Sequence, residues 1–132
     1  ASIVFSDPAK LALLNSLVHP ATRKEAERWM QQQTAPYAIH EAALLFEAGV
    51  QEQLDYVIGV SAPAELRLQR TCERDLISRE EAMQRINSQL NEEEKMSRCD
   101  FIVFNDEQQL VIPQVLLLHE KLLTLAHAKT SS

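Results

Sequence analysis

The 132-residue sequence predicts an α/β protein whose parallel sheet is covered by helices on both faces. Short apolar runs rich in β-branched residues alternate with segments that repeat at helical spacing. Helix-start signals stand between those runs. We find about three strands, whereas such sheets usually have about five. The expected architecture is therefore an incomplete three-layer α/β/α domain.

The N-terminal part is predicted to be helical. Asp7-Pro8 pairs a capping side chain with a proline in the first turn, where its missing N–H does no harm. His19-Pro20 is expected to end this helix and begin a second one. The second helix would end in the polar run 31–34 and bury one face, made of Ala26, Trp29 and Met30.

Three apolar segments are predicted as strands. The first lies within 36–46, a short buried strand followed by a functional loop. The second is Tyr56–Val60, which is rich in β-branched residues. The third is Phe101–Phe104, which the turn pair Asn105-Asp106 ends.

Helices are predicted between and after these strands. Ser61-Ala62-Pro63 opens one that runs to about Arg74. Ser78 and Glu81 form a capping box for the next, in which each side chain satisfies the other residue's free N–H. Its inward side would carry Ala82, Ile86 and Leu90. Asn91 with Glu94 repeats the device, and Pro113 fits the first turn of a last helix.

Composition excludes some classes of function. The net charge of −6 argues against general nucleic-acid binding, which rewards clustered Lys and Arg. No apolar run reaches the roughly 20 residues that span a bilayer, and the N-terminus does not read as a signal peptide. Two scattered cysteines, Cys72 and Cys99, fit a reducing cytoplasm, with a single disulfide as the minority alternative.

The clearest chemical pattern is a set of arginines. Spacings of three and four residues place Arg67, Arg70 and Arg74 on one helix face. A polyphosphate would relieve their mutual repulsion, because each guanidinium offers a planar fork of donors. The alternative is a solvated face whose counter-charges are acidic neighbours such as Asp75. Spacing alone leaves both readings open.

Other candidates are weaker. His19 and Arg23 lie near the expected helix boundary, where a structural hydrogen bond is the simpler role for the histidine. Glu41 follows the first expected strand and would coordinate a metal or orient a hydroxyl, although an ordinary loop residue is the alternative. No metal site is predicted. The two glycines, Gly49 and Gly59, belong to no G-x-x-x-x-G-K-[ST] phosphate-binding loop.

Several segments together resemble one enzyme family. Ala43–Gly49 is similar to the P-L-L-F-E-x-G segment of dephospho-coenzyme A kinases, and Leu14–Pro20 resembles their L-x-x-I-x-H-P helix end. Arg70–Asp75, Ser78–Ala82 and Arg85–Gln89 resemble their lid segment in the same order, and Cys99-Asp100 continues the match. The similarity runs over about residues 3–123.

This resemblance implies a P-loop-kinase-like fold with a helical lid. Its parts would be an acceptor-binding part at 1–35, core strands at 36–66, the lid at 67–98, and the last strand and helix at 99–132. Arg70 and Arg74 would be catalytic, with Arg74 and Asn105 contacting ATP. Residues that bind dephospho-coenzyme A would be His19, Arg23, Leu45, Phe46 and Glu47.

Two positions depart from the family pattern. Ala43 stands where the family has proline, and Asn105-Asp106-Glu107 replaces the family's Asn-x-Gly. The second departure puts a glycine-dependent backbone approach to adenine in question.

The resemblance implies ATP-dependent phosphorylation of the dephospho-coenzyme A 3′-hydroxyl, with Mg²⁺, in the cytoplasm. A kinase for another small acceptor and a non-catalytic interaction module are the alternatives. Without a phosphate-binding loop the 132 residues are expected to be inactive alone, and an open sheet edge is expected to favour self-association.

Overall fold

The computed structural model describes residues 7–130 and confirms the α/β class. The chain divides into two compact units, 1–42 and 43–132. The first unit contains α1 (Pro8–Gln31). The second contains a 3₁₀ turn (Val50–Gln53) and then, in chain order, β1 (Ile58–Ser61), α2 (Ala64–Asp75), α3 (Arg79–Asn87), α4 (Glu92–Ser97), β2 (Phe101–Phe104) and α5 (Val111–Thr130).

The sheet is parallel, as expected, and consists of β1 and β2. Ile58 lies opposite Phe101, and Ser61 lies opposite Phe104. The strand predicted within 36–46 is wrong, because residues 37–42 are irregular and 43–49 form consecutive turns. A strand requires hydrogen bonds to a neighbouring strand, and within residues 7–130 only β1 and β2 pair.

The first helix does not break at His19-Pro20, so that prediction is also wrong. α1 continues through Pro20 to Gln31, and the polar run ends it as expected. Asp7 caps its start by accepting hydrogen bonds from the N–H groups of Ala9 (3.0 Å) and Lys10 (3.3 Å). Proline removes a single donor, and a 24-residue helix retains its remaining bonds. Trp29, expected to be buried, is 50% exposed.

Helices cover both faces of the sheet. Successive side chains of a strand point to opposite faces, so the contacts of neighbouring residues show which helix lies on each face. A Cβ on Gly59 would lie 2.7 Å from Met96 Sδ and 2.9 Å from Cys99 Sγ, so α4 rests directly on that face of β1. On the other face, Lys121 of α5 lies 4.7 Å from the ring centre of Phe101. A larger residue at position 59 would therefore force the Met96 and Cys99 side chains to move.

The core of the second unit lies between α2, α3 and the sheet. Within the described residues its fully buried apolar side chains are those of Leu68, Ala82 and Val103. The capping box of α3 is confirmed: Glu81 N–H donates to Ser78 Oγ (3.2 Å), and Ser78 N–H donates to Glu81 Oε2 (3.1 Å). This cap sets the start of α3 so that Ala82 faces inward.

The end of β2 is held by a side chain that the sequence did not single out. Phe104 N–H donates to Gln114 Oε1 (2.8 Å), and Gln114 Nε2 donates to the carbonyls of Phe104 (3.0 Å) and Leu110 (3.0 Å). Because Asn105 N–H donates to the Ser61 carbonyl of β1 (2.8 Å), the backbone groups of Phe104 point away from β1. Gln114 of α5 therefore takes the place of a neighbouring strand at this residue.

Candidate functional site

A polar cluster lies at the carboxyl ends of the two strands. Arg70 reaches across from α2 and donates from Nη1 to the Asn105 carbonyl (3.1 Å) and from Nη2 to Asn105 Oδ1 (3.4 Å). Its Nη2 also donates to Glu107 Oε1 (3.1 Å). We call Arg70, Asn105 and Glu107 the Arg70 cluster. Two residues that the sequence proposed separately are thus in contact where parallel sheets bind ligands.

The turn after β2 places Glu107 in this cluster. Asp106 Oδ1 accepts hydrogen bonds from the N–H groups of Gln109 (2.9 Å) and Gln108 (3.0 Å), which hold the pKa of Asp106 below its ordinary range. Glu107 lies inside this turn with φ of +64°, in the left-handed region. The contact joins residues 37 positions apart, so local sequence patterns carried no signal for it.

Arg74, one helical turn further, has local partners instead. It donates from Nε to Asp75 Oδ1 (2.7 Å) and from Nη2 to Asp75 Oδ2 (3.0 Å), and Arg85 Nη1 also donates to Asp75 Oδ2 (2.9 Å). We call these three residues the Arg74 cluster. The Arg74 hydrogen bond lowers the pKa of Asp75, and the same contact raises that of Arg74.

The other two arginines of the region stabilise the fold. Arg67 donates from Nε to the Ala62 carbonyl (3.1 Å), and its Nη1 lies 3.1 Å from Glu92 Oε2 at the start of α4. Arg79 makes two hydrogen bonds of 2.7 Å to Glu65, which lower the pKa of that carboxyl group. The arginines expected on one open face are therefore each paired with an acidic residue.

The segment Ala43–Gly49 forms a compact turn rather than a strand end. Ala48 N–H donates to the Leu44 carbonyl (3.0 Å), and Val50 N–H donates to that of Leu45 (3.0 Å). Gly49 ends the turn with φ of +66°, a conformation that glycine adopts without steric cost.

The residues proposed to bind the acceptor in this turn contact α4. Glu47 Oε1 accepts a hydrogen bond from the Leu90 N–H (2.9 Å) and lies 3.1 Å from Lys95 Nζ. Burial raises the pKa of Glu47, but the Leu90 N–H and Lys95 outweigh it and leave the pKa below its ordinary value. The Arg98 guanidinium lies 5.7 Å from the Phe46 ring centre. Leu45 is partly buried. Sequence reasoning missed the hydrogen bond between Leu90 and Glu47 because the two residues are more than 40 positions apart.

The first unit has its own open hollow of about 290 Å³. Its lining combines apolar and polar side chains: Glu25, Ala26, Trp29, Met30, Ile39, His40 and Glu41. Glu41 therefore borders a concave surface, although no strand precedes it. His19 and Arg23 both belong to α1. The contacts of the His19 side chain lie outside what the structure describes.

Metal sites, membrane spans and cysteine chemistry are the remaining candidates. In the part of the chain that the structure describes, no group of three or more His, Cys, Asp or Glu side chains has a metal-binding arrangement. No described helix is both long and apolar enough to cross a bilayer. Cys72 and Cys99 are free thiols, and burial raises the pKa of Cys99.

Comparison with known proteins decides the family. The family model described as dephospho-CoA kinase matches residues 1–110. The chain belongs to the dephospho-CoA kinase family. The resemblance read from the sequence motifs is therefore confirmed.

Relatives match along nearly the whole chain. A dephospho-CoA kinase of Bacteroides fragilis is 34% identical over 99% of this chain and 66% of its own length. One from Idiomarina loihiensis is 38% identical over 91% of this chain and 60% of its own length. The chain therefore spans 60–66% of the length of these two relatives.

Solved structures show the same fold. TT1252 from Thermus thermophilus superposes with a TM-score of 0.78 at 33% identity, over 94% of this chain and 63% of that one. A dephospho-CoA kinase from Campylobacter jejuni gives a TM-score of 0.60 at 30% identity, over 97% of this chain and 64% of that one.

Proposed function

We propose that this chain is the acceptor, lid and core part of a dephospho-CoA kinase. The complete enzyme transfers the γ-phosphoryl group of ATP to the ribose 3′-hydroxyl of dephospho-CoA, the last step of coenzyme A biosynthesis. The observation that carries the proposal is the Arg70 cluster. A lid arginine contacts Asn105 at the carboxyl ends of parallel strands, in a chain of this family.

Phosphoryl transfer depends mainly on positioning and charge neutralisation, and arginines supply both. In our proposal Arg70 and Arg74 neutralise the phosphates of ATP, and Asn105 lies against its adenine. Arg74 suits this role because its side chain is 75% exposed and its guanidinium is cationic at any physiological pH. Arg70 suits it because Asn105 fixes its guanidinium beside the strand ends.

The acceptor would be bound by His19 and Arg23 of α1 and by Leu45, Phe46 and Glu47 of the turn at 43–49. Glu47 is ionised at neutral pH, because its pKa is lowered. It would thus hold the turn through Lys95 while Leu45 and Phe46 contact dephospho-CoA.

Mg²⁺ is expected to accompany ATP. The phosphates of the nucleotide would be its main ligands.

The activity test uses two proteins. One is the 132-residue chain; the other, the chimera, joins to it the part of the Bacteroides fragilis relative that it does not span. We expect the chimera to phosphorylate dephospho-CoA with ATP and the chain alone to be inactive, because these residues contain no phosphate-binding loop. Turnover by the chain alone would overturn the second expectation.

The preferred acceptor distinguishes a dephospho-CoA kinase from the two alternative functions. We expect the chimera to prefer dephospho-CoA over AMP and CMP by at least about a hundredfold in kcat/KM, a ratio that polar recognition readily supplies. Preference for a nucleoside monophosphate would indicate a related kinase. No turnover with any acceptor would indicate an interaction module. A reducing cytoplasm is the proposed compartment, consistent with two free thiols.

We further propose that the 132-residue chain self-associates through its short sheet. Val60 of β1 is 62% exposed, which is unusual for a branched apolar residue in a parallel strand. Light scattering should show dimers or larger species at high concentration, and the Val60→Lys variant should reduce them. A strictly monomeric wild-type chain would contradict the proposal.

A further inference from the structure

Glu107 combines two features that rarely occur together. Its φ of +64° lies in the left-handed region, where an L side chain with a Cβ is disfavoured. Its carboxylate also binds a guanidinium at the ligand-binding end of the sheet. Non-glycine residues in this conformation persist only where their surroundings hold them. Here the Asp106 turn fixes the backbone, and Arg70 holds the side chain.

The Arg70 contact resembles the way arginine binds an anionic ligand. Guanidinium donors match carboxylate and phosphate oxygens with similar geometry, so both anions compete for the same N–H groups. Arg70 Nη1 is fixed by the Asn105 carbonyl, whereas Nη2 is shared between Asn105 Oδ1 and Glu107. Removing Glu107 would therefore release a donor without removing the contact that positions Arg70.

We propose that Glu107 competes with the phosphate groups of a nucleotide for the guanidinium of Arg70. Its carboxylate occupies Arg70 while the site is empty and leaves when a polyphosphate binds. The inference rests on the proposed function in taking ATP as the ligand. It adds that the residue at position 107 sets the strength of polyphosphate binding in this chain.

The carboxylate is able to leave. The Glu107 side chain is 67% exposed, and one 3.1 Å contact joins it to Arg70. Ion pairs this exposed are weak, since water and salt screen them. A competing group of this strength would weaken binding moderately rather than prevent it.

The experiment titrates the 132-residue chain with tripolyphosphate and with ATP, followed by calorimetry. Glu107→Gln removes the charge and keeps the backbone, and Glu107→Gly removes both the charge and the strain. We expect each variant to bind both ligands about two- to fivefold more tightly, as the loss of an exposed ion pair implies. Adenosine, which has no phosphate, should show no such difference.

Two controls isolate Arg70. Glu120→Gln removes one negative charge from an exposed position of α5 and should leave affinity unchanged. In an Arg70→Ala background, Glu107→Gln should no longer tighten binding. Circular dichroism on each variant checks that the fold is kept.

Equal affinity of wild type and both Glu107 variants, including no binding by any of them, would overturn the inference. The same tightening in Glu120→Gln, or in the Arg70→Ala background, would also overturn it, because bulk charge would then explain the effect. If tripolyphosphate binding tightens as expected but the chimera phosphorylates no dephospho-CoA, the proposed function fails and the role of Glu107 stands.

Discussion

Arg70 and Arg74 lie one turn apart on α2, yet they belong to different parts of the molecule. Arg70 binds residues 35 and 37 positions away at the end of the sheet, and its side chain is 37% exposed. Arg74 binds its neighbour Asp75 and is 75% exposed. A helical repeat of one residue type therefore does not imply one set of contacts. Arg70 joins α2 to the turn after β2, whereas Arg74 is paired with its neighbour at the end of α2.

The largest expected effect is the loss of catalysis without loss of stability when Arg74 is removed. Arg74→Ala in the chimera should lower kcat about a hundredfold or more, because a lost cation leaves transition-state charge uncompensated. Its melting temperature should not change measurably, since the Arg74 side chain is 75% exposed and its partner Asp75 is the next residue along the chain. Steady-state kinetics and thermal unfolding test this. Retention of most of the kcat would remove Arg74 from the mechanism.

The free energy of unfolding should depend on Arg70 rather than on Arg74. Arg70→Ala removes the hydrogen bonds to Asn105 and Glu107 and should lower the free energy of unfolding by about 1 kcal/mol. Denaturant unfolding of the 132-residue chain measures this value, with Arg74→Ala as the matched control. Equal destabilisation by both variants would mean that the contacts of Arg70 with the end of the sheet add nothing to stability.

A smaller effect concerns the strained turn. Glu107→Gly should raise the free energy of unfolding by about 0.5 kcal/mol, because relief of the left-handed conformation exceeds the loss of an exposed ion pair. Glu107→Ala loses the same ion pair but keeps the strain, so it should be slightly destabilising. If the two variants are equally stable, the backbone at position 107 is not strained.

The smallest effect depends on pH. The pKa of Asp75 lies below its ordinary value of 3.8, so its stabilisation is complete above that pH and is lost as the pH falls through the lower folded-state pKa. Asp106 behaves in the same way because of its turn hydrogen bonds. Melting temperatures between about pH 5 and pH 2 should therefore fall less steeply in Asp75→Asn and Asp106→Asn than in wild type. Identical slopes would contradict the lowered pKa values.

The sequence predicted those features whose signals are local. The Ser78–Glu81 capping box follows from residue type and short spacing, and the parallel pairing of two apolar runs follows from the helices that separate them. The strand within 36–46 was wrong because apolar character alone does not provide a pairing partner. The break at His19-Pro20 was wrong because one lost hydrogen bond does not end a long helix.

The candidate site was predicted residue by residue but not as an arrangement. The motif resemblance suggested Arg70 and Asn105, yet their contact depends on how α2 lies against the end of β2. Glu107 and Gln114 were not assigned roles, because each contacts a residue ten or more positions away in the sequence. A strand edge completed by a glutamine amide has no sequence signature.

Gln114 also determines at which edge of the sheet a further strand can be added. Its amide occupies the backbone groups of Phe104 that a further strand beside β2 would need, whereas no strand in the described residues pairs with the outer edge of β1. An added strand is thus favoured next to β1 and opposed next to β2. Assembly from separate pieces would consequently place the new strand beside β1 and leave β2 at the margin of the sheet.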